Sequence, residues 1–204
     1  LATHLFGAAN YRFGGSRGTV KYAGMSITDD GWLKLEGDSG EKNPDRSQIL
    51  LANDTRISKC GIKIECDYYF SGGDSPAFFD FMGNNIVGKT GESYNADAGK
   101  YWESGVWLSN KQLRAGFAYN QNGMKWLNEK CFTTYETKMD TKYHMQLIVS
   151  PTEGITLRVN EIGSDTYYTA ICPKEAIETA AKTQGLSYED VLNQYVKLRY
   201  ARKT

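Results

Sequence analysis

The chain has 204 residues, a length that fits one domain with a sizeable core. Its 24 Lys plus Arg balance 24 Asp plus Glu, and this zero net charge argues against a nucleic-acid surface, whose affinity comes largely from accumulated positive charge. The sequence contains no apolar run of about 18 residues, so we expect no membrane span.

The first half of the chain predicts a series of short strands. The candidates are short segments between polar loops, some alternating in apolar and polar residues and others apolar throughout or aromatic on both faces. They are Thr19 to Ser26, Gly31 to Gly37, Gln48 to Ala52, Ile57 to Phe70 and Ala77 to Met82. Ile57 to Phe70 is the longest, and we expect it to form one continuous strand.

The middle of the chain adds a long loop and three more strands. Asn84 to Gly99 is polar and contains Gly, and loops of this length often carry function. Tyr101 to Leu108 and Gln112 to Tyr119 follow as strands, and Met124 to Leu127 follows an Asn-Gly turn. We therefore expect an antiparallel strand pair that ends beside a long polar loop.

The clearest pattern lies between residues 142 and 163. Apolar and polar residues alternate on both sides of the turn Ser150-Pro151-Thr152-Glu153-Gly154, which predicts a β-hairpin with one buried face. Such a hairpin needs a sheet behind it. With Thr166 to Cys172 as a last strand, the pattern predicts an all-β fold, an antiparallel two-sheet β-sandwich over residues 1–172.

The segment 173–204 changes character and predicts two short helices. Pro173 suits a first helical position, Lys174 to Thr183 are good helix formers, and Gly185 marks the helix end. Ser187 opens a capping box, so a second helix should run from Tyr188 to about Leu198. We expect these helices to pack on the sandwich or on a partner, with a solvated basic tail. The basic residues at this end are Lys197, Arg199, Arg202 and Lys203.

Three segments carry a family resemblance: Gln112 to Phe117, Tyr143 to Val149 and Ile155 to Asn160. Their order resembles the "W-H-x-V-x-L-x-V … v-x-L-x-V-N-G" core of laminin-G-like and concanavalin A-like jelly rolls, over about residues 57–162. Tyr143 stands where Trp is usual in that pattern, and Glu161 where Gly is usual. The resemblance implies a sandwich with a concave face and rim loops, which in these families binds glycans, often with calcium nearby. Other members are enzymes or structural spacers.

Catalytic patterns are incomplete. Glu65 and Asp67 resemble the start of the E-x-D-x-E or E-x-D-x-x-E motif of glycosidases of this fold, but Tyr69 or Phe70 stands at the third position. With Lys63 beside them, a surface charge row is the simpler interpretation. Residues 115–121 resemble the A-G-x-Y-x-Q part of jelly-roll alginate lyases only with one inserted residue, which would turn Tyr119 to the other face of its strand.

The sequence supports sugar binding better than catalysis. Sugar rings stack on flat aromatic side chains, and their hydroxyls need polar groups nearby. The candidate ligand-binding residues come from adjacent strands and turns. They are Trp102, Trp107, Tyr119, Tyr101 and Trp126. The competing interpretation is that these aromatic side chains fill the core. We expect any ligand on the face or rim near Trp102, Trp107 and Tyr119, beside the Asn84 to Gly99 loop.

Metal and cysteine patterns are sparse. Asp74, Asp80 and Asn84 could supply oxygens for calcium, although their spacing fits no defined calcium loop. Cys60 and Cys66 lie six residues apart on the predicted strand, too far to pair with each other. No pattern indicates zinc, so buried free thiols are expected.

The leading functional hypothesis is a non-catalytic carbohydrate-binding or adhesion module of a secreted or cell- or virion-surface protein. Its partner would be a glycan or polysaccharide. One alternative is a structural or receptor-binding domain of a homo-oligomer or larger assembly, such as a phage fibre or capsid decoration. The other is a polysaccharide lyase or glycoside hydrolase of jelly-roll fold. The sequence starts at Leu1, and we expect a mature secreted chain or a shortened one.

Overall fold

A computed structural model describes residues 13–14, 25–35, 46–52, 56–71, 76–84, 100–108, 111–120, 124–126, 131–193 and 195–202. Most of these residues lie in strands. The strands are β1 (Phe13–Gly14), β2 (Met25–Ile27), β3 (Leu33–Leu35), β4 (Arg46–Ala52), β5 (Ile62–Tyr68), β6 (Pro76–Asn84), β7 (Lys100–Trp107), β8 (Gln112–Asn120), β9 (Met124–Trp126), β10 (Phe132–Thr134), β11 (Tyr143–Ser150), β12 (Gly154–Glu161), β13 (Tyr168–Pro173) and β14 (Tyr195–Arg202). The helices are α1 (Ile57–Cys60), α2 (Lys174–Lys182) and α3 (Tyr188–Leu192).

The strands form two main antiparallel sheets. The larger sheet has eight strands in the order β1-β4-β14-β6-β7-β8-β10, with β9 paired to β8. The smaller sheet has four strands in the order β13-β12-β11-β5, and β2 and β3 form a separate ribbon. This arrangement confirms the predicted all-β, two-sheet sandwich. Among the described residues, no helix is long and apolar enough to cross a membrane.

The core lies between the two sheets and follows the period-two pattern of the sequence. On β11, Met145, Leu147 and Val149 are wholly buried, while the residues between them are partly exposed. On β8, Leu113 and Phe117 are wholly buried in the same cluster. Because alternate side chains of a strand point to opposite faces, each sheet has one face in the core and one facing outward.

The segment predicted as one long strand from Ile57 to Phe70 is broken near its start. Residues 57–60 form the single-turn helix α1, and β5 begins only at Ile62. Gly61 separates them with φ 66°, a left-handed conformation that glycine adopts readily. The prediction was wrong for these first residues, because Ile57 and Cys60 lie three positions apart, a spacing that fits a helical turn and not the period of two of a strand.

The end of the chain differs more strongly from its prediction. Helix α2 lies where it was expected, and α3 starts at the predicted capping box on Ser187. However, α3 ends at Leu192 rather than near Leu198, and β14 follows. Strand β14 pairs with both β4 and β6, so residues 195–202 belong to the large sheet and are not a solvated tail. Val196 and Leu198 are buried on alternate positions, as a strand requires.

Candidate ligand-binding face

A cluster of four side chains lies on the outward face of the large sheet, where β7, β8 and β10 meet. We call it the Arg114 cluster; its members are Trp107, Gln112, Arg114 and Phe132. The register pairs Trp107 with Gln112 and Arg114 with Phe132, which places all four on one face. Thr133, the next residue, donates its hydroxyl hydrogen to the Thr169 carbonyl of the small sheet at 2.7 Å, so Phe132 points away from that sheet.

Within the cluster, the Arg114 guanidinium lies between two aromatic rings. Its Cζ is 4.6 Å from the centre of the Trp107 ring and 4.5 Å from the centre of the Phe132 ring. Its Nε and Nη2 donate to Oε1 of Gln112 at 3.1 and 3.0 Å. Each cation–π contact of a partly exposed guanidinium contributes about 0.5–1 kcal/mol. These contacts with Trp107, Phe132 and Gln112 hold the Arg114 guanidinium in one orientation.

The cluster offers two kinds of surface to a ligand. Gln112, Arg114 and Phe132 are partly exposed. Trp107 is only 6% exposed and contacts the guanidinium of Arg114 with its ring. A guanidinium that lies between two rings has both faces covered, so a ligand reaches only its edge. The Gln112 amide adds both donor and acceptor groups. This combination suits a ligand with apolar faces and hydroxyl groups.

Next to the cluster, two positions on the same face of β7 and β8 are glycines, Gly105 and Gly116, and both are buried. Glu103 is paired in register with Gly116, and Gly105 with Arg114. The Glu103 side chain is 1% exposed, so a carboxylate lies buried at the centre of the large sheet. The register places Glu103 on the same face as the Arg114 cluster.

Of the five predicted ligand-binding aromatics, the two whose side chains are described lie in different environments. Trp102 is fully buried in the core between the sheets, so its indole offers no surface to a sugar and does not belong to the candidate site. Trp107 lies on the outward face, where it belongs to the Arg114 cluster but is almost fully buried. The backbones of Tyr101, Tyr119 and Trp126 lie in β7, β8 and β9, but their side chains lie outside the described part of the chain. Their role stays a prediction.

Sequence reasoning missed Gln112, Arg114 and Phe132. A signal for the first two was present, since they alternate with the apolar Leu113 and Ala115 in a correctly predicted strand. Phe132 follows β8 by more than ten residues, and only the pairing of β10 with β8 brings it to Arg114. Local sequence carries no information on that pairing.

The calcium prediction stays open. Asp74 and residues 85–99 lie outside the described residues, as do the side chains of Asp80 and Asn84 in β6. Among the side chains that are described, no three His, Cys, Asp or Glu residues are placed to hold a metal ion.

The outward face of the small sheet carries the charge row that the sequence predicted. Lys63 Nζ lies 3.1 Å from Glu65, and Gln146 Nε2 donates to Glu65 at 2.8 Å. His144 Nδ1 lies 2.8 Å from Asp67 Oδ1. The hydrogen bond from Gln146, followed by that from Lys63, lowers the pKa of Glu65. A carboxyl with a lowered pKa on an open surface is ionised at neutral pH and is a poor general acid.

The chain matches no family model, and no curated protein matches it in sequence. Three solved structures are similar to it in fold. Lectin II from Ulex europaeus has a TM-score of 0.56 at 9% identity, over 95% of this chain and 84% of the lectin. Winged bean acidic lectin complexed with methyl-α-D-galactose has a TM-score of 0.53 at 11% identity, over 97% and 85% of the two chains. Basic winged bean lectin with Tn-antigen has a TM-score of 0.52 at 11% identity, over 97% and 84%. These likenesses show that the chain has the β-sandwich fold of the legume lectins, which is the concanavalin A-like fold.

Proposed function

We propose that this chain is a non-catalytic carbohydrate-binding module and that a sugar binds against the Arg114 cluster on the outward face of the large sheet. The observation that carries the proposal is the Arg114 guanidinium, held between Trp107 and Phe132 and bonded to Gln112 on a partly exposed surface. The winged bean lectins of the same fold are described with a galactoside and with Tn-antigen. Their ligands support the general class of ligand.

Sugar recognition combines stacking and hydrogen bonding. The exposed part of the Phe132 ring accepts the C–H face of a pyranose ring, while the Gln112 amide and the guanidinium edge bind hydroxyls. Because Arg114 and Gln112 already hold each other in place, the site loses little side-chain entropy on binding. A preorganised site of this size predicts modest affinity for one sugar and higher affinity for a repeated glycan through several copies.

A glycan array, run with and without calcium, followed by calorimetry on the best ligand tests the proposal. Arg114→Ala and Phe132→Ala should each weaken binding at least about tenfold, since each removes a contact of about 1.4 kcal/mol or more. Gln146→Ala is the matched control, because Gln146, like Gln112, is a partly exposed amide, but it lies on the outward face of the other sheet. Equal loss in all three variants, or an array without hits under both conditions, contradicts the proposal. If binding requires calcium and Arg114→Ala does not affect it, the sugar binds at the calcium residues predicted from the sequence and not at the Arg114 cluster.

Two further measurements on the same protein test the alternative functions, a structural domain and a polysaccharide-cleaving enzyme. A structural domain of a larger assembly predicts oligomers in light scattering and no glycan binding. A polysaccharide-cleaving enzyme predicts release of unsaturated ends from alginate or of reducing sugar from β-glucans. A carbohydrate-binding module predicts neither product. We place this function in a secreted or surface protein, where glycans are accessible.

A further inference from the structure

The outward face of the small sheet joins side chains from all four of its strands. We call it the small-sheet face. Its members form two neighbouring rows across the strands, and these are Glu65, Gln146, Arg158 and Thr169, then Asp67, His144 and Asn160. Residues two positions along the chain from these members lie on the same side. They add Lys63, Tyr69, Lys142 and Tyr167. The Ile162 N–H donates to the Lys142 carbonyl at 3.0 Å, so the strand pairing extends to this position.

Both carboxylates of the small-sheet face are bonded to neighbours on it. Glu65 lies 3.1 Å from Lys63 Nζ and accepts a hydrogen bond from Gln146 at 2.8 Å. Asp67 Oδ1 lies 2.8 Å from His144 Nδ1. These contacts occupy oxygens of both carboxylates, and the pairing with Glu65 also takes up the charge of Lys63. A ligand that approaches the face therefore meets acidic groups that already have partners.

The other two cations of the small-sheet face lie against aromatic rings. Lys142 Nζ is 5.4 Å from the centre of the Trp32 ring, which comes from the turn between β2 and β3. Arg158 Cζ is 4.4 Å from the centre of the Tyr167 ring, just before β13. Among the described residues, no carboxylate is in ion-pair contact with Lys142 or Arg158. The face therefore offers two positive charges to an anionic ligand.

Exposed aromatic surface lies beside each of these two cations. Tyr69 meets Trp32 edge to face with ring centres 4.9 Å apart, and Tyr69 is 36% exposed. Tyr167 is 52% exposed. Within the described part of the chain, Tyr167 is the single ring against the exposed Arg158 guanidinium, so the guanidinium edge and its second face are accessible. A ring next to a cation suits a sugar that combines an apolar C–H face with a negative group.

We propose that the small-sheet face is a second binding site, for a polysaccharide of uronic acid residues. A uronic acid carboxylate is planar and matches the fork of N–H donors on Arg158, and a second carboxylate pairs with the Lys142 ammonium. Lys142 lies four residues from Gln146, the register partner of Arg158, so the two cations are roughly 14 Å apart. One pyranose ring does not span that separation, so the ligand is a chain with carboxylates on different rings. This site is independent of the Arg114 cluster, which lies on the other sheet.

Calorimetry with oligogalacturonate tests this site, with malto-oligosaccharide of the same length as the neutral counterpart. It is run on the full chain and repeated with Arg114→Ala, so that the Arg114 cluster does not contribute. Oligogalacturonate should bind at least about tenfold tighter than the neutral chain, and less tightly as salt is added. Lys142→Gln and Arg158→Gln should each weaken its binding about fivefold. Lys63→Gln is the matched control, because it removes the same charge from the same face, but from an ammonium that Glu65 already holds. It should change the affinity less than about twofold.

Three outcomes overturn the proposal. The first is equal affinity for the acidic and the neutral oligosaccharide, and the second is a loss in Lys63→Gln as large as in Lys142→Gln and Arg158→Gln. The third is equally tight binding of single-stranded DNA, which would show a general attraction to polyanions. All three exchanged side chains are exposed, so each variant should keep the Tm of the parent within about 2 °C. A loss of affinity in a folded variant therefore reports on the site itself.

Discussion

The indole of Trp102 lies directly against the backbone of Gly83, in the space that a Cβ atom on Gly83 would occupy. Both residues are buried, in neighbouring strands of the large sheet. A methyl group at this position must displace the largest side chain of the core. We therefore expect Gly83→Ala to lower the free energy of unfolding by about 1–3 kcal/mol, as overpacking of a close-packed core does. Equilibrium urea denaturation measures the loss.

A double-mutant cycle identifies the cause. The atoms of Trp102 that meet Gly83 belong to its five-membered ring, which phenylalanine lacks. Trp102→Phe should be destabilising by itself, but in its background Gly83→Ala should cost less, because the methyl group enters vacated space. If the two losses simply add, crowding against Trp102 is not the reason for glycine at this position.

Gly154 and Gly163 can be compared directly, because one begins β12 and the other lies just after its end. Both have positive φ, 109° and 92°, so alanine is strained at either position. A Cβ on Gly154 would also collide with the carbonyl of Cys172 and lie 2.7 Å from the nitrogen of Lys174, whereas a Cβ on Gly163 would meet no atom of the described residues within 4 Å. We expect Gly163→Ala to cost about 1–2 kcal/mol and Gly154→Ala about 1–3 kcal/mol more. Equal losses in urea denaturation would show that backbone strain alone decides.

The capping box of α3 gives a smaller and more local prediction. The Ser187 hydroxyl accepts from the Asp190 N–H at 3.0 Å, and Asp190 Oδ2 accepts from the Ser187 N–H at 2.8 Å. Ser187→Ala leaves an N–H at the helix start without this acceptor and should cost about 1 kcal/mol. Ser187→Asn keeps an acceptor and should cost a few tenths at most. A loss of the same size in both variants, measured by thermal unfolding, would mean that the side chain stabilises α3 in another way.

The sequence was sufficient where one period explained every residue. The β11–β12 hairpin is such a case, because Met145, Leu147 and Val149 leave no helical alternative. Residues 191–198 fit both periods, since Val191, Leu192, Tyr195 and Val196 form a helical stripe while Val196 and Leu198 alternate as in a strand. The strand conformation prevails because β14 pairs with β4 on one side and β6 on the other. That pairing is long-range, so the local sequence does not contain it. The Arg114 cluster likewise depends on the pairing of β10 with β8.

Three buried tyrosines predict how stability changes at alkaline pH. Burial raises the pKa of Tyr188 to about 12, and burial also raises the pKa of Tyr68 and Tyr135 above the usual range. The Tyr188 hydroxyl in addition donates to the Ser150 carbonyl at 2.6 Å. In the unfolded chain these phenols lose their protons near pH 10. Between about pH 10 and 12 the unfolded chain therefore binds fewer protons than the folded chain.

The sign of this linkage is a loss of stability as the pH rises. The full contribution of each tyrosine is present below about pH 10, and the free energy of unfolding then falls by about 1.4 kcal/mol per pH unit for each tyrosine that stays protonated in the fold. Urea denaturation at a series of pH values measures this slope, and tyrosinate absorbance should rise together with unfolding. Tyr188→Phe removes one of the three groups, so it should be less stable at neutral pH yet lose stability less steeply above pH 10. A fully folded protein in which every tyrosine ionises near pH 10 would contradict the buried positions of all three.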